Sequence, residues 1–208
     1  WNTIPAAMNE IDNLRESDEE IDMNRLEEIK MIRDKFGEWT AHNIEIEPGL
    51  FTMGNNIKDR ASQRSETYSK LIRRFKSNRL RGLRILDLGC LEGGISIPLA
   101  QEGCRCVGVD VRERHLIKAH FAARSLGISR KCKWEVGDVT DKKLWDNLGK
   151  FDVIICSGLL YHIDANDIIP LLKNIHRACK AKGMIIVDTN ISSKPVSSFT
   201  YDGKTFWG

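Results

Sequence analysis

From Leu83 onward the chain alternates short apolar runs with amphipathic stretches, and this change of period constrains the fold more than any other feature. The apolar runs are LRILDL (83–88), CVGVD (106–110), CKWEV (132–136), FDVIICS (151–157) and GMIIVDTN (183–190). Most are rich in Val, Ile or Leu, as strands buried on both faces are. Between them ISIPLAQEG, RERHLIKAHFAARSLG, DKKLWDNL and ANDIIPLLKNIHRACK read as helices. Gly127 is placed to close the second of these, and Pro170 to bend the fourth. Strand–helix alternation of this kind predicts an α/β fold. The expected form is a Rossmann-like doubly wound parallel sheet with helices on both faces. Right-handed crossovers then fix most of the topology.

The chain ahead of this pattern is different. Residues 1–80 read as an N-terminal helical cap or lid region, and residues 81–208 as the ligand-binding domain. Leu26, Ile29, Ile32 and Phe36 follow helical spacing, with Gly37 placed to end that helix. Tyr68, Leu71, Ile72 and Phe75 mark a second helix. The stretch from Trp39 to Asp59 holds Pro48, Gly49 and Gly54 and reads as loop. It serves either as a lid or as ordinary surface packing. Arg73, Arg74, Lys76, Arg79, Arg81 and Arg84 form a basic run, read either as a contact for RNA phosphates or as a solvated helix face.

Bulk properties exclude some partners. A net charge of +3 over 208 residues is too small to argue for nucleic acid or a membrane surface. No run of about 18 apolar residues is present, so no membrane span is expected. The acidic opening WNTIPAAMNEIDNLRESDEE has no apolar signal core. A cytoplasmic location is the expectation. The six cysteines show no C-x-x-C spacing, which predicts buried free thiols and no metal site.

The chemistry gathers at strand ends. The first strand runs into Asp87-Leu88-Gly89-Cys90-Leu91-Glu92-Gly93-Gly94. A glycine turn between the first strand and a helix is where open α/β sheets bind nucleotides. A dinucleotide fingerprint needs G-x-G-x-x-G, and Leu91 stands where its second glycine would be. There is no G-K-[ST] of a P-loop either. A ligand with an adenosine but no phosphate fits better, and S-adenosyl-L-methionine is such a ligand. Its carboxylate can use N–H groups at the helix start, and Asp87 and Glu92 can face its positive groups. Asp110 ends the second strand, where a carboxylate takes ribose hydroxyls. Asp138 and Val139 follow the third strand, placed for the adenine amino group and ring. Cys156-Ser157-Gly158-Leu159-Leu160-Tyr161-His162 follows the fourth and is placed where donor and acceptor meet.

ILDLGCLEGG, VGVDVRE, EVGDVTD, FDVIICSGLLYHI and GMIIVDTN, in this order, resemble the motifs of class I S-adenosylmethionine-dependent methyltransferases. Each is weak alone; the ordered set, spanning Leu83 to Asn190, is specific. SGLLYHI is similar to the same segment of small-molecule methyltransferases and of tRNA wobble-uridine alkyl transferases. The resemblance implies that Asp87, Gly89, Cys90, Leu91, Asp110, Val111, Asp138, Val139 and Ser157 contact the cofactor. The family's sheet closes with an antiparallel pair of strands. The short stretch after Asp188, including YDGKTFWG, is not expected to complete that pair, so the domain is expected to be C-terminally incomplete.

The expected activity is methyl transfer to an oxygen or nitrogen of a small-molecule acceptor. His162 is the candidate general base and Tyr161 the candidate wall of the acceptor pocket. SGLLYHI lacks the Pro-Pro-aromatic motif of enzymes that act on the exocyclic amines of bases. Three alternatives stand beside this reading: a tRNA-modifying methyl or alkyl transferase, a non-catalytic cofactor-binding module, and a nicotinamide-dependent oxidoreductase that Leu91 disfavours.

Overall fold

The computed structural model describes residues 24–54, 60–190, 198–201 and 203–207. Helix α1 (Arg25–Phe36) starts from a capping box. The Asn24 side chain accepts from the Glu27 N–H, and Glu27 reaches back to the Asn24 N–H. Gly37, at φ +82°, ends it. A small antiparallel pair follows, β1 (Glu45–Glu47) with β2 (Leu50–Phe51), within the stretch expected to be loop. Helix α2 (Arg60–Phe75) comes next.

The alternating half follows the sequence pattern closely. Its elements are β3 (Arg84–Leu88), α3 (Ser96–Gln101), β4 (Arg105–Asp110), α4 (Glu113–Ser125), β5 (Cys132–Val136), α5 (Lys142–Leu148), β6 (Phe151–Ser157), α6 (Ala165–Ala178) and β7 (Cys179–Asp188). The five strands form one parallel sheet in the order β5-β4-β3-β6-β7. The chain therefore winds outward from β3 in one direction, then returns to its other side through β6. The gap between β3 and β6 is the topological switch point. β7 begins four residues earlier than its apolar run, because Cys179 pairs with Phe151 across a register shift.

Alternation along the strands sorts the core into two layers. Ile85, Cys106, Val153 and Ile155 face one side and pack with α3 and α4; Leu86, Leu88, Ile154 and Cys156 face the other and pack with Trp145, Leu148, Leu171 and Ile175 of α5 and α6. Ile29 and Ile32 of α1, Trp39, Ile44 and Ile46, and Tyr68 and Ile72 of α2 belong to the first layer. The described part of the N-terminal region thus shares its core with the sheet.

Among the described residues, the antiparallel pair that would extend the main sheet is not found, and a separate hairpin follows instead. β8 (Ser198–Tyr201) and β9 (Lys204–Trp207) pair with each other as a separate two-stranded sheet. Gly203, at φ +71°, supplies the left-handed conformation that a tight hairpin turn needs. Among the described residues, the five-stranded sheet ends at β7. No helix there is long and apolar enough to cross a membrane.

Ile72 tests the shared core, since it is fully buried between α2 and the sheet layer. Ile72→Ala is expected to cost about 2–5 kcal/mol. Urea unfolding followed by circular dichroism and by tryptophan fluorescence should give one coincident transition. Separate transitions would show that the N-terminal helices fold independently.

Candidate functional site

The carboxyl ends of β3, β4 and β6, with the loop after β5, open into one cavity of about 1070 Å3. That is at the upper end of the roughly 300–1,000 Å3 typical of small-molecule sites. Gly89, Cys90, Leu91, Asp110, Val111, Asp138, Val139, Ser157, Tyr161 and His162 all line it. Every residue proposed from the sequence reaches this crevice except Asp87 and Glu92.

Asp110 organises its centre. Its Oδ2 accepts the Leu91 N–H at 3.1 Å and its Oδ1 the Arg112 N–H at 2.9 Å, which ties the glycine turn to the tip of β4. Leu91 sits at φ +48°, a left-handed conformation that costs a non-glycine residue about 1–2 kcal/mol. The hydrogen bond to Asp110 holds that strained turn in place. Asp138 accepts the Thr140 N–H and hydroxyl on Oδ1, at 2.8 and 2.7 Å. Its Oδ2 has no hydrogen-bond partner among the described residues. Val139 is buried beside it, and its carbonyl accepts the Trp145 indole N–H at 2.8 Å. Burial, together with the negative charges of Asp87 and Asp110, pushes the Cys90 thiol well above the ordinary range.

Asp87 and Glu92 do different work from that expected. Asp87 is buried beneath the turn, where its Oδ2 accepts the Ser96 hydroxyl at 2.7 Å. Burial pushes its carboxyl up to about 7; the Ser96 hydrogen bond opposes the shift and the charge of Asp110 adds to it. Glu92 has no exposed surface and points away from the cavity. Its Oε1 accepts the Thr40 N–H at 3.0 Å and the Thr40 hydroxyl at 3.1 Å, and lies 3.5 Å from Lys118 Nζ. The N–H groups expected to face a ligand are also largely turned inward. Gly89 and Cys90 donate to the Val109 carbonyl, Gly93 to that of Cys90, and Gly94 to His42 Nδ1 at 2.8 Å.

These contacts build a wall that the sequence did not announce. Lys118, itself buried, donates to the Glu38 carbonyl at 2.5 Å and lies 5.7 Å from the Trp39 ring centroid. Burial lowers the Lys118 pKa, with Glu92 opposing. For Glu92 burial acts upward, but the Thr40 N–H and neighbouring positive charge outweigh it and hold the carboxyl below its usual value. The pair fastens residues 38–42 against the glycine turn, and Thr40, Ala41 and His42 line the cavity. A Cβ on Gly94 would stand 2.5 Å from His42 Cγ, so only glycine allows the approach.

The far end, beyond β6, holds the segment from Ser157 to His162. The rings of Tyr161 and His162 lie 4.4 Å apart, on an exposed 3₁₀ turn (Leu160–His162). Ser157 Oγ is 2.8 Å from the Tyr68 hydroxyl and donates to Asp188 Oδ2 at 3.2 Å. Tyr68 also donates to Asp188 Oδ2, at 3.0 Å, and Arg64 Nε lies 3.0 Å from the same oxygen. The basic run lies elsewhere and none of it lines the cavity. Arg73 pairs with Glu102, Lys76 reaches the Lys182 carbonyl, and Arg84 covers the Phe151 ring at 4.8 Å. Among the described residues no cluster of His, Cys, Asp or Glu could hold a metal ion.

Two measurements test this arrangement. Lys118→Met leaves the buried Glu92 charge without its counterion and should cost about 3–5 kcal/mol of stability by urea titration. Asp87 has a raised folded pKa, so the native state holds a proton that the unfolded chain releases from about pH 4 upward. Its contribution therefore falls as pH rises toward 7 and is constant above. The stability of Asp87→Asn relative to the parent should accordingly rise between pH 4 and 7; an unchanging difference would refute the raised pKa.

Comparison with known proteins matches the geometry. Residues 85–183 match the methyltransferase domain family. Over 118 residues the chain is 35% identical to YqeM of Bacillus subtilis (strain 168), a provisionally assigned methyltransferase, covering 56% of this chain and 46% of that one. It is 28% identical over 111 residues to the ubiquinone biosynthesis O-methyltransferase of Pseudomonas aeruginosa (strain UCBPP-PA14), covering 53% and 45%. The chain spans about half the length of these relatives. Among solved structures, the N-terminal domain of EvdMO1 with SAH bound superposes with a TM-score of 0.66 at 25% identity, over 87% of this chain and 71% of that one. The sheet order, the turn after β3 and the carboxylates at the strand ends thus accompany a segment, residues 85–183, that is similar to methyltransferase domains.

Proposed function

We propose that this protein transfers a methyl group from S-adenosyl-L-methionine to an oxygen or nitrogen of a small-molecule acceptor. One observation carries the reading: Asp110 and Asp138 meet in a single crevice, on one side of the Gly89–Leu91 turn, while Ser157, Tyr161 and His162 meet it on the other. When bound, the cofactor supplies a methyl group already activated on a sulfonium sulfur. The protein's task is then alignment and exclusion of water.

Asp110 is held by two main-chain donors at the strand tip, suited to ribose hydroxyls. Asp138 keeps one oxygen without a partner, suited to an adenine amino group, with Val139 against the ring. Gly89 and Leu91 bring bare backbone to the cleft. His162 takes the proton from an acceptor hydroxyl or amine, and Tyr161 shapes the space beside it. Of the expected cap at 1–80, residues 1–23 and 55–59 lie outside the described residues, and segment 38–42 walls the site. The small-molecule acceptor draws support from the relatives, one of which is an O-methyltransferase of ubiquinone biosynthesis. The internal engagement of Arg73, Lys76 and Arg84 favours this reading over RNA. A cytoplasmic location accords with it.

Calorimetric titration with S-adenosylhomocysteine should show saturable binding. Asp110→Ala should weaken that binding at least about tenfold, as loss of charge-assisted hydrogen bonds does. Preference for NAD, or no binding, would refute the assignment. His162→Ala should lower turnover while leaving cofactor binding intact; turnover equal to the parent's would remove the base role.

A further inference from the structure

We infer that the amino-terminal edge of the main sheet is a docking surface for an anionic lipid bilayer. The inference is independent of the methyltransferase reading and concerns the end of the molecule opposite the crevice.

The five parallel strands point the same way, so their starts gather at one edge and their ends at the other. Arg84 opens β3 and Arg105 opens β4, whereas Asp110 ends β4 and Asp188 ends β7. A net charge of +3 therefore averages over two ends of opposite sign. Arg84 stands in register with Arg105. Cys106 stands in register with Cys132, which sets Lys131 level with Arg105. Neighbouring strands lie about 4.8 Å apart, so these three cations span roughly 10 Å. The loop before β3 adds to them. The Gly82 N–H donates to the Gly103 carbonyl at 2.9 Å, and Arg81 Cγ lies 3.2 Å from where a Cβ on Gly103 would stand. Arg81 thus stands beside the start of β4.

Arg79, Arg81, Arg105, Arg130 and Lys131 are exposed, and none forms an ion pair or a side-chain hydrogen bond among the described residues. The carboxylates at this edge are already engaged. Glu102 accepts the Ser69 hydroxyl and pairs with Arg73, and Asp152 pairs with Lys180 at 2.8 Å. Like charges so placed repel one another, and an opposing anionic surface removes that repulsion. An apolar side chain marks the kind of surface. Phe75, in the last turn of α2, is 69% exposed. Helix α2 ends at this same edge, because Lys76 reaches the Lys182 carbonyl of β7 and the Arg79 N–H returns to the Lys76 carbonyl at 2.9 Å. An exposed aromatic ring among cations suits the boundary between lipid headgroups and acyl chains. A polynucleotide fits less well, because phosphates held here lie a strand length, roughly 17 Å, from the crevice at the other edge. Docked by this edge, the protein holds its crevice toward water, where a small-molecule acceptor enters.

Sedimentation of the full chain with vesicles tests the assignment. The vesicles are phosphatidylcholine alone, or phosphatidylcholine with about one-quarter phosphatidylglycerol. At about 0.1 M salt the parent should partition at least about tenfold more strongly to the anionic vesicles than to the neutral ones, and about 0.5 M salt should release it. Arg81→Ala, Arg105→Ala and Lys131→Ala combined should lower that partition on the order of a hundredfold, roughly fivefold for each cation. The charge-conserving combination of Arg81→Lys, Arg105→Lys and Lys131→Arg should bind as the parent does. Phe75→Ser should weaken binding about tenfold, through lost apolar burial. Arg114→Ala, an exposed position in the first turn of α4 at the crevice end, should leave partitioning unchanged. None of these residues lines the crevice, so each variant should match the parent in titration with S-adenosylhomocysteine. Failure of the methyltransferase reading would show in that titration and not in the vesicle assay. The inference is overturned if the parent binds neither vesicle or both equally, or if the neutralised variant binds anionic vesicles as the parent does. Binding of a single-stranded RNA oligonucleotide that the neutralised variant loses, with no uptake on either vesicle, would overturn it in favour of nucleic acid.

Discussion

Glu92 carries a charge into a place with no exposed surface, and two donors and a lysine ammonium gather on its Oε1. A buried carboxylate is tolerated only when opposite charge and hydrogen-bond donors surround it. Lys118 brings the charge from α4, and Thr40 brings two donors from the N-terminal segment. Both elements are thereby drawn onto the turn after β3. His42 then accepts the Gly94 N–H, and Trp39 lies beside the Lys118 ammonium. One side of the crevice exists because an acidic side chain in the turn faces inward.

The crevice itself is electrically divided. One end carries Asp110 and Asp138, each fixed by neighbouring donors. Its far end carries Arg64 beside Tyr161 and His162. The switch point lies between these ends, where β3 and β6 are neighbours in the sheet but not consecutive along the chain. The layout suits a ligand with hydroxyls and an amine at one end and a different chemistry at the other. It gives no cradle of free N–H groups for a pyrophosphate, because the turn uses those groups itself.

Much of this was legible in the chain. β6, buried on both faces, carries the run Val153 to Cys156 and matches its apolar run residue for residue, as does β5, whose CKWEV alternates instead. Asp110 and Asp138 were legible because carboxylates directly after strands mark the binding edge of such sheets. Asp87 and Glu92 lie buried and off the cavity lining, and the sequence did not show it, because a turn's sequence does not say which side chains line a cleft and which lie beneath it. The start of β7 was hidden because Cys-Lys-Ala-Lys is polar in alternation, and pairing with Phe151 decided it. The β8–β9 pair lies outside the main sheet because its two short strands satisfy each other.

Local pattern determined the α/β class, the bounds of β5 and β6 and the edge at which the crevice opens, because hydrophobic period and glycine placement act within a few neighbouring residues. Tertiary structure alone decided that Arg64, Tyr68 and Asp188 meet Ser157, and that His42 and Lys118 close on the turn. These partners are separated by long stretches of chain. Only the sheet order, and the need to neutralise buried charge, bring them within hydrogen-bonding distance.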